Sequence, residues 1–213
     1  GSFTTCNLSR TTVDFGSINN NSEFESTIQI KNKGTLPLTI SSIVSHNSDF
    51  TTNLNDITVS AGGSANVIIT FHPITPGEKS GNIIFTHDAF PFVDTVSVRG
   101  TSLDFDTTFV DVNEKWNLIS NPRLVTNNSR TALFPSAVTD AFQYDQSSGY
   151  TQTTTILNRR GYWLKFNSSA TTTIAGVVIT SDTIDVQAGW NLIGTISHPV
   201  TIQSIVNIPE RIV

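Results

Sequence analysis

The sequence predicts an all-β protein of two domains, the first a seven-strand β-sandwich and the second a further sandwich or barrel-like sheet domain. Three observations predict it. Apolar and polar residues alternate at period two through most of the chain, and helical periodicity is nearly absent. Turn-forming residues punctuate this alternation at short intervals. Charged residues make up only 14% of the chain, while Thr, Ser and Asn fill 74 of its 213 positions, a composition that suits exposed strands solvated by hydroxyls and amides.

The elements follow in order. Thr27-Ile28-Gln29-Ile30-Lys31 alternates cleanly, Val67 to Phe71 and Ile83 to Phe85 are short apolar runs, and Val96 to Arg99 alternates again before Gly100. Between them stand Gly16, Asn19-Asn20-Asn21, Lys33-Gly34, Ala61-Gly62-Gly63, Pro73 and Pro76-Gly77, giving about seven strands in the first hundred residues. The expected core is Phe15, Ile28, Ile30, Leu38, Val67, Ile69, Phe71, Ile83, Phe85, Val96 and Val98. The polar stretch Ser102 to Thr108 marks a boundary and divides the chain into residues 1–103 and 104–213. Beyond it Phe109 to Val112, Trp116 to Ile119, Ala141 to Tyr144, Gly161 to Phe166, Ile174 to Ile179, Ile184 to Val186 and Trp190 to Gly194 read as strands. Asn121 to Thr131 and Asp145 to Tyr150 read as loops. Helices longer than a turn or two are not expected.

One repeat is internal to the second half. Lys115-Trp116-Asn117-Leu118-Ile119-Ser120 recurs as Gly189-Trp190-Asn191-Leu192-Ile193-Gly194, and a proline follows each copy, Pro122 and Pro199. The second copy either completes the same sheet domain or begins a further repeat. The first alternative predicts that Trp190 to Ile193 is buried beside Trp116 and that the tail from Val200 to Val213 packs against it. A Trp→Ala change at either site then costs about 3–5 kcal/mol.

The first hundred residues resemble the ASH/hydin (abnormal-spindle/hydin) family of immunoglobulin-like domains. The matching residues are Val13-Asp14-Phe15-Gly16, Ile28 to Gly34 with Leu36, Leu38 and Ile40, Phe50, Ala61 to Ser64, Val67 to Pro73, Ser80-Gly81 and Val96 to Thr101. The resemblance implies an immunoglobulin-like sandwich, in a family known from ciliary and centrosomal proteins and from bacterial cell-surface proteins. The second half is similar to a module of large secreted proteins of the Bacteroidetes–Ignavibacteria type. That similarity rests on the two Trp-Asn-Leu-Ile copies, Phe134-Pro135, Phe142 to Asp145, Gly149-Tyr150 and Gly161-Tyr162-Trp163. Arg159-Arg160 departs from it, because the module carries a glycine at the first of these positions. The resemblance implies an extracellular or cell-surface setting. Gly1-Ser2 without an initiating Met reads as a tag-cleavage scar, so the chain is expected to be a fragment of a larger protein with flanking domains.

Little in the sequence points to chemistry. A net charge of −5 spread along the chain leaves no footprint for nucleic acid or an anionic membrane, and no apolar run has the length of a membrane span. Cys6 is the only cysteine, which excludes an intramolecular disulfide and a cysteine metal cluster. His46, His72, His87 and His198 have no metal-binding spacing, so a zinc site could assemble only across strands, and scattered solvent-facing histidines are the commoner case; no Gly-x-Ser-x-Gly elbow is present. No catalytic residue, cofactor or metal is therefore expected, and the chain is read as not an enzyme. Asp104 and Asp106 are the only calcium candidates, against a plain reading as a solvated acidic linker.

The aromatics carry the remaining interest. Trp116 and Leu118 share a strand face, as do Trp190 and Leu192, and that face is expected to be core. Tyr150, Tyr162 and Trp163 form the candidate ligand-binding platform, with Tyr150, after Ser147-Ser148-Gly149, expected to be exposed. Two functional readings follow. One is a non-catalytic extracellular structural, adhesion or spacer module of a larger secreted or cell-surface bacterial protein. The other is a carbohydrate-binding module attached to a secreted polysaccharide-degrading enzyme. The partner is accordingly another surface protein or a polysaccharide.

Overall fold

The alternation of the first half becomes nine strands in the computed structural model, which describes residues 1–206. They are Asn7–Leu8 (β1), Thr12–Asn19 (β2), Phe24–Lys31 (β3), Leu38–Ser45 (β4), Phe50–Thr52 (β5), Ile57–Val59 (β6), Ser64–Phe71 (β7), Gly77–His87 (β8) and Val93–Leu103 (β9). One sheet has the order β1-β3-β7-β5 and the other β2-β9-β8-β4-β6. All pairs are antiparallel except β2 with β9. The strand count exceeds the roughly seven expected; six of the nine are long, while β1, β5 and β6 are only two or three residues long, too short to show a period. By contact, the chain divides into two compact units, Gly1–Asp104 and Phe105–Val213.

The inward positions of both sheets meet in one apolar core. All eleven residues expected there are buried, joined by Val13, Ile40, Ile43, Phe50 and Val59. Between two of these core residues Asp14 turns outward, accepting the Gly16 N–H at 2.9 Å and pairing with Arg99 at 2.8 Å. Both contacts, the backbone N–H first, hold the Asp14 carboxyl below its ordinary range. The glycine of Asn32-x-Gly34 serves close approach rather than a left-handed turn. A Cβ there would collide with the Phe3 carbonyl oxygen and stand 2.9 Å from Thr4 Cα.

The second unit is built from Phe105–Val112 (β10), Lys115–Ile119 (β11), Arg123–Leu124 (β12), the helical turn Arg130–Leu133 (α1), Ala141–Asp145 (β13), Gly149–Thr153 (β14), Tyr162–Phe166 (β15) and Ala170–Val178 (β16). A three-stranded sheet, β10-β16-β12, and a four-stranded one, β11-β15-β13-β14, share a core. Val112 and Ile174 come from the first sheet, and Ile119, Ala141, Tyr162, Leu164 and Phe166 from the second. β12 forms inside the expected loop Asn121 to Thr131, and β14, which overlaps the expected loop Asp145 to Tyr150 only at Gly149-Tyr150, pairs residue for residue with β13 from Ala141↔Thr153 to Asp145↔Gly149. Arg159 has φ of 71°, the left-handed backbone that favours glycine.

Two expected strands are absent among the described residues. Neither Ile184 to Val186 nor Trp190 to Gly194 joins a sheet, and after β16 only a 3-10 turn at Ile202–Ser204 is regular. The second Trp-Asn-Leu-Ile copy instead crosses strand ends. The Gln146 side chain beyond β13 donates to the Ala188 carbonyl, and Gly161 N–H before β15 donates to Leu192 O at 3.0 Å. Thr195 N–H then reaches Ser120 Oγ, after β11, at 3.2 Å, and Ser197 Oγ reaches Pro122 O, before β12, at 2.6 Å. A segment running across strand ends bonds to each in turn and builds no ladder. The expected packing of the tail is also not found, since Val200, Ile202, Ile205 and Val206 are exposed; residues 207–213 lie outside the described residues.

Candidate functional site

The register of the four-stranded sheet in the second unit decides which aromatics face water. Tyr162, Leu164 and Phe166 point into the core, so Trp163 and Lys165 point out. Trp163 lies opposite Leu118 on one side and Phe142 on the other, and Tyr144 lies opposite Tyr150. Partners across a ladder share a face, so Trp116, Leu118, Trp163, Phe142, Tyr144 and Tyr150 occupy one outer face as a diagonal strip between edge strands β11 and β14. The Trp116 ring meets Phe142 edge-on at 5.6 Å, and Tyr144 lies 5.2 Å from Tyr150. Trp116 is 49% exposed, Leu118 53% and Tyr150 58%, while the other three are half-buried. Gln152, opposite Phe142, and Lys165, opposite Trp116, add an exposed amide and an ammonium on the same face.

This face corrects two expectations. Tyr162 belongs to no platform: its side chain is fully buried and its hydroxyl accepts the Leu157 N–H at 3.1 Å. Burial raises its pKa above the ordinary phenol value. Trp116 and Leu118, expected in the core, face solvent, while Ile119 is the buried residue of β11. Trp116, Leu118, Phe142 and Tyr144 thus extend a strip of which the sequence singled out only Tyr150 and Trp163. The signal for them was the fixed inward set Tyr162, Leu164 and Phe166, which forces Leu118 and Phe142, paired with Trp163, outward, and Trp116 and Tyr144 follow by alternation along their strands.

The repeat itself is a turn motif. Asn117 Oδ1 accepts the Asn113 N–H at 2.9 Å, and its Nδ2 donates to the carbonyls of Asn113 at 2.8 Å and Lys115 at 3.3 Å. Asn191 makes the same three bonds, from Gln187 N–H at 3.1 Å and to Gln187 and Gly189 carbonyls at 2.8 and 3.0 Å. Lys115 and Gly189 both have positive φ, 80° and 98°. The shared asparagine closes the turn and the tryptophan before it projects outward, so Trp190 is 84% exposed rather than buried. Trp190→Ala is expected to change the stability of the second unit by less than about 0.5 kcal/mol in urea unfolding. A loss of about 3 kcal/mol would restore a core role.

The calcium candidates are not assembled as a cage. Asp106 pairs with the buried Arg123 guanidinium at 3.0 Å. The Thr107 backbone N–H and then that guanidinium hold its carboxyl below the ordinary range. Asp104 and Asp106 fall in different units, and neither belongs to a cluster of three potential ligands among the described residues.

The family match falls within the first unit. Residues 5–101 match the family described as HYDIN/CFA65/VesB-like, Ig-like domain. This part of the chain is an immunoglobulin-like domain. No curated protein matches the chain. A protein of unknown function from Porphyromonas gingivalis W83 aligns at 19% identity over 47% of this chain and 47% of its own, with a TM-score of 0.42. The match thus spans about half of that protein's length. The ASH/PapD-like domain 7 of human CEP192 aligns at 13% identity over 46% of this chain and 85% of its own, with a TM-score of 0.40. The class 5 fimbriae chaperone CfaA aligns at 9% identity over 90% of this chain and 99% of its own, with a TM-score of 0.39.

The immunoglobulin-like domain holds a polar cluster that no sequence spacing announces. Cys6, His87 and Asp94 bring their Sγ, imidazole nitrogen and carboxylate oxygen within 4.8 Å of one another. His87 Nε2 lies 3.1 Å from Asp94 Oδ2, and the Cys6 thiol is hydrogen-bonded to Asp94 as well. Burial, reinforced by that carboxylate, pushes the Cys6 pKa up to about 12. A nucleophilic cysteine needs the reverse, a thiolate favoured by an adjacent base or positive charge.

Proposed function

We propose that the chain is a non-catalytic structural and adhesion module of a larger secreted or cell-surface bacterial protein, with the outer face of β11-β15-β13-β14 as its contact surface. The observation that carries this reading is the diagonal aromatic strip from Tyr150 to Trp116, apolar and open to water on an otherwise hydroxyl-rich chain. An exposed apolar patch of this kind marks an interaction site more often than a solvated surface. The immunoglobulin-like first unit fits a structural role beside it. The left-handed backbone at Arg159, where a glycine is the easier residue, supports assigning the second unit to the module of the Bacteroidetes–Ignavibacteria type.

A carbohydrate ligand is the second reading, favoured by one feature: the Gln152 amide and the Lys165 ammonium flank aromatic faces on the same side of the sheet. A pyranose stacks its apolar face on such rings and offers hydroxyls to such groups. A glycan array paired with insoluble-polysaccharide pull-down separates the two readings, using the protein with Tyr150→Ala and Trp163→Ala variants. Retention that falls at least about tenfold, 1.4 kcal/mol, in both variants makes the module carbohydrate-binding. Absence of retention leaves the adhesion and spacer reading, and polysaccharide turnover by the purified protein would overturn both.

A further inference from the structure

Two stretches remote in sequence, the N-terminal segment and the β8–β9 hairpin, meet at one end of the immunoglobulin-like domain. Cys6 precedes β1, His87 ends β8, and Asp94 is the second residue of β9. The β8–β9 connection is closed by His87 N–H donating to Phe92 O at 2.9 Å. The N-terminal segment is tied alongside the Asn32–Leu36 loop by Thr35 N–H to Phe3 O at 2.9 Å and Lys33 N–H to Thr5 Oγ1 at 2.7 Å. The cluster is therefore placed by backbone on all sides. The His87 side chain is fully buried, the Asp94 side chain is 31% exposed, and Cys6 is half-buried against the core.

We propose that Cys6, His87 and Asp94 form a three-ligand site for a divalent transition metal ion of the zinc type. The donor set is one sulfur, one imidazole nitrogen and one carboxylate oxygen, each a ligand that zinc accepts in four-coordinate geometry. Ligand atoms about 2.1 Å from a tetrahedral centre stand about 3.4 Å apart, and sulfur stands slightly farther from its neighbours. The 3.1 Å between His87 Nε2 and Asp94 Oδ2 is close to that separation. The 4.8 Å limit on the whole set leaves side-chain adjustments of about 1 Å at most.

Charge balances as well as geometry. A thiolate and a carboxylate neutralise a dication, so the loaded site adds no net charge to a half-buried place. On binding, the metal–sulfur bond replaces the Cys6 S–H bond and the proton leaves to solvent. Calcium does not suit the set, because it takes six to eight oxygen ligands. The partly exposed Asp94 and Cys6 leave the fourth position open to a water molecule. Such a site would pin the N-terminal segment to the β8–β9 hairpin.

The test is a Co2+ titration of the reduced, metal-stripped protein, followed by absorption and then by displacement with Zn2+. Because Cys6 is the only cysteine, a thiolate-to-cobalt charge-transfer band can come from no other residue. One equivalent of Co2+ is expected to produce that band together with intense four-coordinate d–d bands, and Zn2+ to abolish both. Cys6→Ser should remove the charge-transfer band, and Asp94→Asn should keep it while weakening Co2+ affinity at least tenfold. Neither change enlarges a side chain, and circular dichroism checks that both variants fold. The proposal is overturned if the reduced thiol gives no charge-transfer band, or if Co2+ affinity is the same in the parent and both variants.

Discussion

Asn32→Ala is expected to destabilise the immunoglobulin-like domain by about 3 kcal/mol or more, a large share of the stability of a domain this size. The Asn32 side chain is fully buried and serves five backbone groups. Its Oδ1 accepts from Gly34 N–H at 2.9 Å and Thr5 N–H at 3.3 Å. Its Nδ2 donates to the carbonyls of Leu36 at 2.8 Å, Val59 at 3.1 Å and Ser60 at 3.3 Å. Alanine removes all of these at once, and each buried group left without a partner costs about 1–3 kcal/mol. Asn32→Asp should be at least as damaging despite its matching shape, because a carboxylate oxygen would then face three carbonyls. All Trp and Tyr residues lie beyond residue 104, so fluorescence follows the second unit alone while circular dichroism follows both. The dichroism transition should move to lower urea with the fluorescence transition unchanged. A variant that leaves both in place would show that the Asn32 network contributes nothing to stability.

The first unit was legible because each long strand is half buried, and its alternation states directly which residues face in. Ile28, Ile30, Val67, Ile69, Val96 and Val98 are read correctly for that reason. What the Asn of Asn32-x-Gly34 does was not legible, since its five partners lie up to 28 residues away and no local pattern encodes them. In the second unit the pattern misleads at Trp116. Hydrophobicity alone would turn Trp116 and Leu118 inward, yet the turn closed by Asn117 and the burial of Ile119 fix the opposite face. Trp190 repeats the case more strongly, because its segment lies across strand ends and has no sheet face to choose. Strand-like alternation shows that a segment is able to pair; which edge is free to receive it depends on contacts remote in sequence. The Cys6–His87–Asp94 cluster was invisible for the same reason, since 80 residues of intervening sandwich separate Cys6 from the His87–Asp94 pair.

Phe71→Ala is expected to cost about 3–5 kcal/mol, and the companion change at Gly100 shows where that energy resides. The Phe71 ring stacks on Phe50 at 4.7 Å with 15° between planes and lies 5.4 Å from Phe15, so its removal leaves a cavity bounded by two other rings. From the opposite strand Gly100 presses its bare Cα on the same ring. A Cβ at Gly100 would stand 2.5, 2.9 and 3.0 Å from three Phe71 ring carbons, closer than packed atoms approach. Gly100→Ala by itself should therefore cost about 1–3 kcal/mol through overpacking. In the Phe71→Ala background the same methyl group meets empty space, and its cost should fall well below that range. The double variant is then more stable than the sum of the single losses predicts, by more than the roughly 0.5 kcal/mol within which independent sites add. Phe71→Leu provides a smaller cavity should Phe71→Ala fail to fold, with the same sign of coupling expected. Strict additivity across either pair of variants would mean that Gly100 is required by its own backbone rather than by the Phe71 ring.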